Sequence, residues 1–116
     1  MHELALMQSV LQTVEMDAAQ RHINRISKVK LVIGQLTMAL PDSLVFAFEA
    51  LKPGTIFAEA NLVIEERQAL CQCQSCQQEY KLDDFFQFIC PTCGSSDIQV
   101  QGGKELYIDY YEGESL

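Results

Sequence analysis

The sequence predicts an α+β protein: a small mixed αβ domain of two helices and a three-stranded sheet, with a cysteine-bearing lobe inserted into it. Three observations lead there. Apolar residues recur at helical spacing near the start of the chain and again around Leu44. They alternate with period two in three other stretches, 27–35, 58–66 and 106–111. Between the last two stretches, two Cys-x-x-Cys pairs interrupt the pattern.

Composition sets the bounds. A chain of 116 residues holds one domain, or one modest domain plus a small metal-held lobe. Its 48% hydrophobic content suits a folded chain. Eight basic residues stand against 16 acidic ones, a net charge of −8. That argues against a nucleic-acid partner, which requires a concentrated cationic surface. The start, Met1-His2-Glu3-Leu4, lacks the basic segment and apolar run of a secretion signal. No apolar stretch approaches membrane-spanning length. Five cysteines, an odd number in such a chain, favour a reducing, cytoplasmic setting and metal binding over disulfides.

The elements follow in order. Residues 3 to about 21 read as an amphipathic helix, with Leu4, Met7, Leu11, Val14 and Ala18 on its inner face. His22 follows as a cation-capable side chain near the helix C-terminal carbonyls. Residues 27–35 read as a strand, with Val29, Leu31 and Ile33 facing one way and Lys28 and Lys30 the other. Pro41-Asp42-Ser43 opens a second helix, with Asp42 or Ser43 as the cap. Leu44, Phe48 and Leu51 form its inner face, and Pro53-Gly54 stops it. Residues 58–66 alternate with Ala60, Leu62 and Ile64 inward. After Gly102-Gly103, Leu106, Ile108 and Tyr110 alternate as a last strand, and the tail beyond Glu112 reads as frayed. An isolated strand cannot bury its own face, so this strand must return to the first sheet. The domain is then 1–66 plus 103–116, and the lobe is 67–102.

The lobe carries the strongest motif. Cys73-x-x-Cys76 and Cys90-x-x-Cys93 can each place two thiolates on one side of a metal, and together they complete a tetrahedron. Four thiolates in that geometry favour structural zinc in a closed, zinc-ribbon-like site. Gly94 follows the last cysteine, where a tight turn calls for positive φ; Gln77 stands at the equivalent place and fits less well. The apolar content of the lobe is thin: Leu70, Tyr80, Leu82, Phe85, Phe86, Phe88, Ile89, Ile98 and Val100. Segments under ~40 residues rarely fold unaided. A structural zinc contributes about 10–16 kcal/mol, so the metal decides whether this lobe folds.

The start of the chain offers a second constellation. The terminal amine, a backbone amide nitrogen and the His2 imidazole can close small chelate rings around one metal, and Glu3 adds a carboxylate. Such nitrogen and oxygen ligation suits Ni(II) or Cu(II). The first amides of a helix lack intrahelical partners and are available. On its own, a histidine in this place reads first as a solvated terminal residue.

The conjunction alters that balance. Met1-His2-Glu3-Leu4, Ile33-Gly34-Gln35-Leu36, Phe46-Ala47-Phe48-Glu49 and the two cysteine pairs, in order over nearly the whole chain, resemble the HypA/HybF family of nickel metallochaperones of [NiFe]-hydrogenase maturation. The resemblance implies Ni(2+) as transient cargo at the N-terminus, with His2 the main ligand and Glu3 nearby. It implies structural Zn(2+) on Cys73, Cys76, Cys90 and Cys93, in a lobe inserted into the nickel domain. It implies delivery, without catalysis, to the hydrogenase large-subunit precursor with a maturation GTPase, and in some members service to urease maturation. Cys71 is additional and reads as a spare, partly buried thiol. Leu40 stands where some relatives carry a carboxylate; Asp42, two residues on, reads as a helix cap. Zinc between the second and last strands of the domain would couple metal loss to nickel binding.

The alternatives are a zinc-ribbon adaptor for macromolecular interaction and a rubredoxin-like iron carrier on the same four thiolates. The acidic balance counts against an adaptor for nucleic acid. No nucleophile–base pair or phosphate-binding glycine loop is readable. Membrane partners are not expected, and monomer and homodimer both remain open.

Overall fold

The computed structural model describes residues 2–83 and 86–116; Asp84 lies outside them, as do Met1 and Phe85, both named above. Helix α1 spans Glu3–Gln20, a run without glycine or proline. It buries Met7, Val10, Leu11, Val14 and Ala18. The inner stripe therefore starts later than its spacing suggested: Leu4, in the first turn, is 51% exposed, and Val10 takes its place in the core. At the other end His22 adopts a left-handed φ of 58° and is exposed; its carbonyl accepts a hydrogen bond from Ser115 Oγ.

Strand β1 (Arg25–Gly34) follows, then a 3-10 turn (Gln35–Thr37) and helix α2 (Pro41–Leu51). The N-cap of α2 is Leu40, with no side-chain capping bond, and Pro41 opens the first turn. The expected caps, Asp42 and Ser43, lie inside the helix. Proline at the first position carries no N–H, so one of the free amides never needs a cap. Asp42 is left in the first turn, where the helix dipole favours an anion. Strand β2 (Asn61–Arg67) runs parallel to β1, pairing Val29 with Leu62 and Leu31 with Ile64.

Strands β3 (Leu70–Cys73), β4 (Glu79–Lys81) and β5 (Ile98–Gln101) form a separate antiparallel sheet, ordered β4-β3-β5. Strand β6 (Leu106–Glu114) then returns to the first sheet, antiparallel to β1, giving the order β2-β1-β6. The return is as expected, but the phase is not. A bulge between the Lys30–Tyr110 and Leu31–Ile108 pairs inserts Asp109. Ile108 and Tyr111 therefore meet the core, while Tyr110 is half-exposed. The tail is not frayed either. Strand β1 begins at Arg25 and offers two further residues of template, so Gly113 and Glu114 pair with Ile26 and Arg25.

Both helices and one face of the first sheet share a core that includes Val29, Leu31, Leu44 and Phe48. Leu51 is only partly buried. Phe57, from the loop before β2, is fully buried and meets Phe48 edge-on with ring centroids 6.4 Å apart. The opposite sheet face carries charge in pairs: Lys30 Nζ lies 3.1 Å from both Glu65 and Asp109. A second core joins Ala69, Cys71 and Leu82 with Leu36, Tyr80, Phe86, Ile98 and Val100. Phe88 and Ile89, counted toward this core from the sequence, are exposed.

The two sheets meet at a crowded point. A Cβ on Gly34 would collide with the backbone carbonyl of Gly103 and lie 2.7 Å from the Glu105 amide nitrogen. Only glycine permits this approach. The Gly34 amide donates to Glu105 at 2.7 Å, and the Leu36 amide donates to Gly103 at 2.7 Å.

Two outcomes follow from the packing. Phe48→Ala should destabilise the protein by about 3–5 kcal/mol in urea unfolding, through lost transfer energy and the cavity against Phe57. The Asp17 carboxylate accepts hydrogen bonds from the Tyr111 phenol and, at 2.9 Å, from Arg21. The Tyr111 bond, followed by Arg21 and opposed by burial, holds its pKa below the ordinary carboxylate value. The folded state thus favours the ionised form. Its contribution is present above the ordinary carboxylate range and is lost as pH falls through the lowered value. Asp17→Asn should lower the thermal midpoint at pH 7, and the difference from wild type should close as the buffer is made acid.

Candidate metal centres

Each cysteine pair closes a knuckle with the same backbone pattern. The Cys73 amide donates to Gln78 at 2.9 Å and the Cys90 amide to Ser95 at 2.8 Å. In return, the Gln77 amide donates to the Cys73 carbonyl at 2.8 Å and the Gly94 amide to Cys90 at 2.9 Å. Gly94 takes φ 76°, as its position suggested. Gln77 takes φ 64°, so it adopts the same turn, at the cost a side chain carries there. The roughly 1–2 kcal/mol a side chain costs there is offset by the closed knuckle and by Gln77 Nε2 donating to the Gln74 carbonyl at 3.0 Å.

The two knuckles interleave. Cys73 Sγ lies 3.5 Å from Cys93 Sγ, and Cys76 Sγ lies 3.6 Å from Cys90 Sγ. All four sulfurs fall within 4.8 Å of one another. A tetrahedron with metal–sulfur bonds of ~2.3 Å has edges of about 3.8 Å, so the donor set fits structural zinc. Ser75 and Ser95 join the knuckles through a 2.9 Å hydroxyl contact. The Cys93 amide, then burial in opposition and then the Thr92 amide, bring the Cys90 thiol down to about 6. Cys76 also receives an amide, from Gln78, but burial and the neighbouring thiols push it up to about 12. Four thiols this close cannot all ionise without a cation among them, so zinc binding must expel protons.

Cys71 stands apart. It is fully buried in the second core, not partly as expected. It lies on β3 two residues before Cys73, about 7 Å back along the strand, beyond reach of the metal position. Burial first, then its contact with the Cys71 thiol, raises the Tyr80 phenol to about 12. Cys71 is a core hydrophobe.

The predicted nickel ligands lie elsewhere. His2 is exposed and is the N-cap of α1; its carbonyl accepts the Leu6 amide at 2.9 Å, and its imidazole makes no capping bond. Glu3 is half-buried and lines a cavity of about 490 Å³ shared with Asp42, Ser43 and Phe46. Among the described residues, the four cysteines are the one group that brings three or more ligand atoms together; His2, Glu3 and Asp42 are not so gathered. That Asp42 would share a cavity with Glu3 was unreadable from sequence, because it depends on α2 packing beside α1.

A four-thiolate centre suited to structural zinc, carried on a two-helix α+β scaffold, defines a small metal-handling protein. No helix among the described residues is long and apolar enough to cross a membrane. The family model described as "Hydrogenase/urease nickel incorporation, metallochaperone, hypA" matches residues 1–113. A hydrogenase maturation factor HypA from Moorella thermoacetica is 45% identical over 114 residues, covering 98% of this chain and all of that one. Its counterpart from Desulfitobacterium hafniense is 39% identical, covering 98% and 99%. The solution structure of the Ni metallochaperone HypA from Helicobacter pylori superposes over both full chains with a TM-score of 0.66 at 22% identity, a likeness of fold. The chain belongs to the HypA family of hydrogenase and urease nickel-incorporation metallochaperones.

The zinc centre carries its own test. Cys93→Ser should reduce zinc to well below one ion per chain and remove amide protection from β3, β4 and β5. Far-ultraviolet circular dichroism should still report α1 and α2.

Proposed function

We propose that this chain carries Ni(II) at its N-terminal end and delivers it to the [NiFe]-hydrogenase large-subunit precursor, with a maturation GTPase as partner. The chain is a carrier and not a catalyst, and it works in the cytoplasm. Urease maturation proteins are a further class of recipient. His2 is the principal ligand, joined by backbone nitrogen and by Glu3. Cys73, Cys76, Cys90 and Cys93 hold structural zinc. The nickel-binding body is 1–66 plus 103–116, and the zinc lobe is 67–102.

The observation that carries this reading is the exposure of His2 at the head of α1, in a member of a nickel-incorporation family. A delivery site must release its metal. Exposed imidazole and backbone nitrogen permit exchange, whereas the cysteine centre offers four protein thiolates that fill every position of a tetrahedron. The free first amides of α1 are available as ligands. A cation there opposes the helix dipole by roughly 0.3–1 kcal/mol. Glu3 in the first turn of α1 offsets that, and so does Asp42 across the shared cavity.

Nickel titration followed by absorption and calorimetry tests the site. His2→Ala should weaken Ni(II) affinity by at least about tenfold, equivalent to 1.4 kcal/mol, and change the ligand-field spectrum while zinc stays bound. Equal affinity and an unchanged spectrum would reject the site.

A further inference from the structure

One side chain ties the two sheets together. Gln35 follows Gly34 at the end of β1. Its Nε2 donates to the Leu82 carbonyl at 3.0 Å and the Asp83 carbonyl at 3.1 Å. Its Oε1 accepts the Ala69 amide at 3.0 Å. Ala69 and Leu82 are both core residues of the cysteine lobe. The next residue, Leu36, packs its side chain into that same core.

The chain beyond Gln35 leads to the other metal end. Thr37 Oγ1 donates back to the Gly34 carbonyl at 2.7 Å, and Met38 takes a left-handed φ of 63°. Ala39 is buried, Leu40 caps α2, and the first turn of α2 supplies Asp42 and Ser43 to the cavity that Glu3 lines. The turn is therefore held on one side by the lobe and on the other by the helix that borders the Glu3 cavity.

We propose that Gln35 is a positioning residue that transmits the folded state of the cysteine lobe to the first turn of α2 and so to the nickel-binding end. The last step rests on the nickel reading above. An amide suits the role because it presents donors and an acceptor at one tip. When the lobe melts, Ala69, Leu82 and Asp83 no longer hold fixed positions, all three bonds go, and the turn keeps only its ties to Gly34 and Gly103. Glutamate would keep the acceptor and lose both donors. Methionine would keep the length and lose all three bonds.

The test uses the full chain, zinc-loaded and then stripped with a chelator, and reads amide hydrogen exchange beside nickel affinity. In wild type, stripping zinc should speed exchange over residues 36–44 by roughly tenfold or more, and weaken Ni(II) binding. Gln35→Met with zinc in place should already exchange fast over 36–44 and at Ala69, while β3 and β5 stay protected and zinc stays at one per chain. Stripping it should add nothing over 36–44. Gln35→Glu should behave likewise over 36–44, with a smaller loss at Ala69, and serves if the methionine variant folds poorly. A Gln35 variant that keeps wild-type, zinc-dependent protection over 36–44 overturns the proposal. The exchange pattern with nickel binding indifferent to His2→Ala supports the transmission and overturns the nickel reading. Nickel binding through His2 with unchanged exchange in the variants overturns the transmission alone.

Discussion

Strand β1 lies between β2 and β6, and that placement constrains everything attached to it. Neighbouring strands sit about 4.8 Å apart, so the segment between β2 and β6 must leave and return across roughly 10 Å. The parallel pairing of β1 with β2 demands a crossover, which the 3-10 turn and α2 supply. The crossover lays α2 on the same sheet face as α1 and brings the starts of both helices to one cavity. The antiparallel return of β6 brings Gly103 against Gly34, where no side chain fits. A Cβ on Gly103 would in turn approach the Ala69 Cβ to 2.7 Å. The junction is thus a point of backbone contact, closed by hydrogen bonds and not by a large apolar seam.

The second sheet could not support itself by burial. The fully buried residues of the lobe are few: Ala69, Cys71, Cys73 and Leu82. Tyr80 and Phe86 are only partly buried against them, and Phe88 and Ile89 face solvent. The four sulfurs, already within 4.8 Å of one another, mark where the missing cohesion comes from. A structural zinc is worth about 10–16 kcal/mol at neutral pH, more than this small core can supply. The knuckles prepare the site by aiming amides at Cys90, at 3.4 Å from Thr92 and 3.5 Å from Cys93, so at least one thiol is poised to ionise.

The cysteine centre and the N-terminal end thus differ sharply in chemistry within one short chain. The cysteine centre is sulfur-rich, preorganised and closed. The N-terminal end offers an exposed imidazole, the half-buried carboxylate of Glu3 and the exposed one of Asp42 beside an open cavity. Thiolate sites favour zinc, whereas imidazole, backbone nitrogen and carboxylate suit a metal such as Ni(II). The contrast fits a family whose members incorporate nickel into other proteins.

The sequence by itself determined the helices and strands of the αβ domain and the cysteine centre, because both are local patterns; it did not indicate strands β3, β4 and β5. Helical spacing from Met7 to Ala18, alternation in β1 and the paired two-residue gaps of the cysteines each report geometry within a few residues. The tertiary structure alone decided what depends on partners distant in the chain. It exchanged Leu4 for Val10 in the core and drew Phe57 out of its loop onto Phe48. It shifted β6 by a bulge, so that Tyr111 and not Tyr110 turns inward, because register follows the template strand and not the alternation alone. It extended β6 to Glu114 because β1 begins two residues early. It also gave Gln35 its three partners, at separations of 34 to 48 residues, which no local pattern can report.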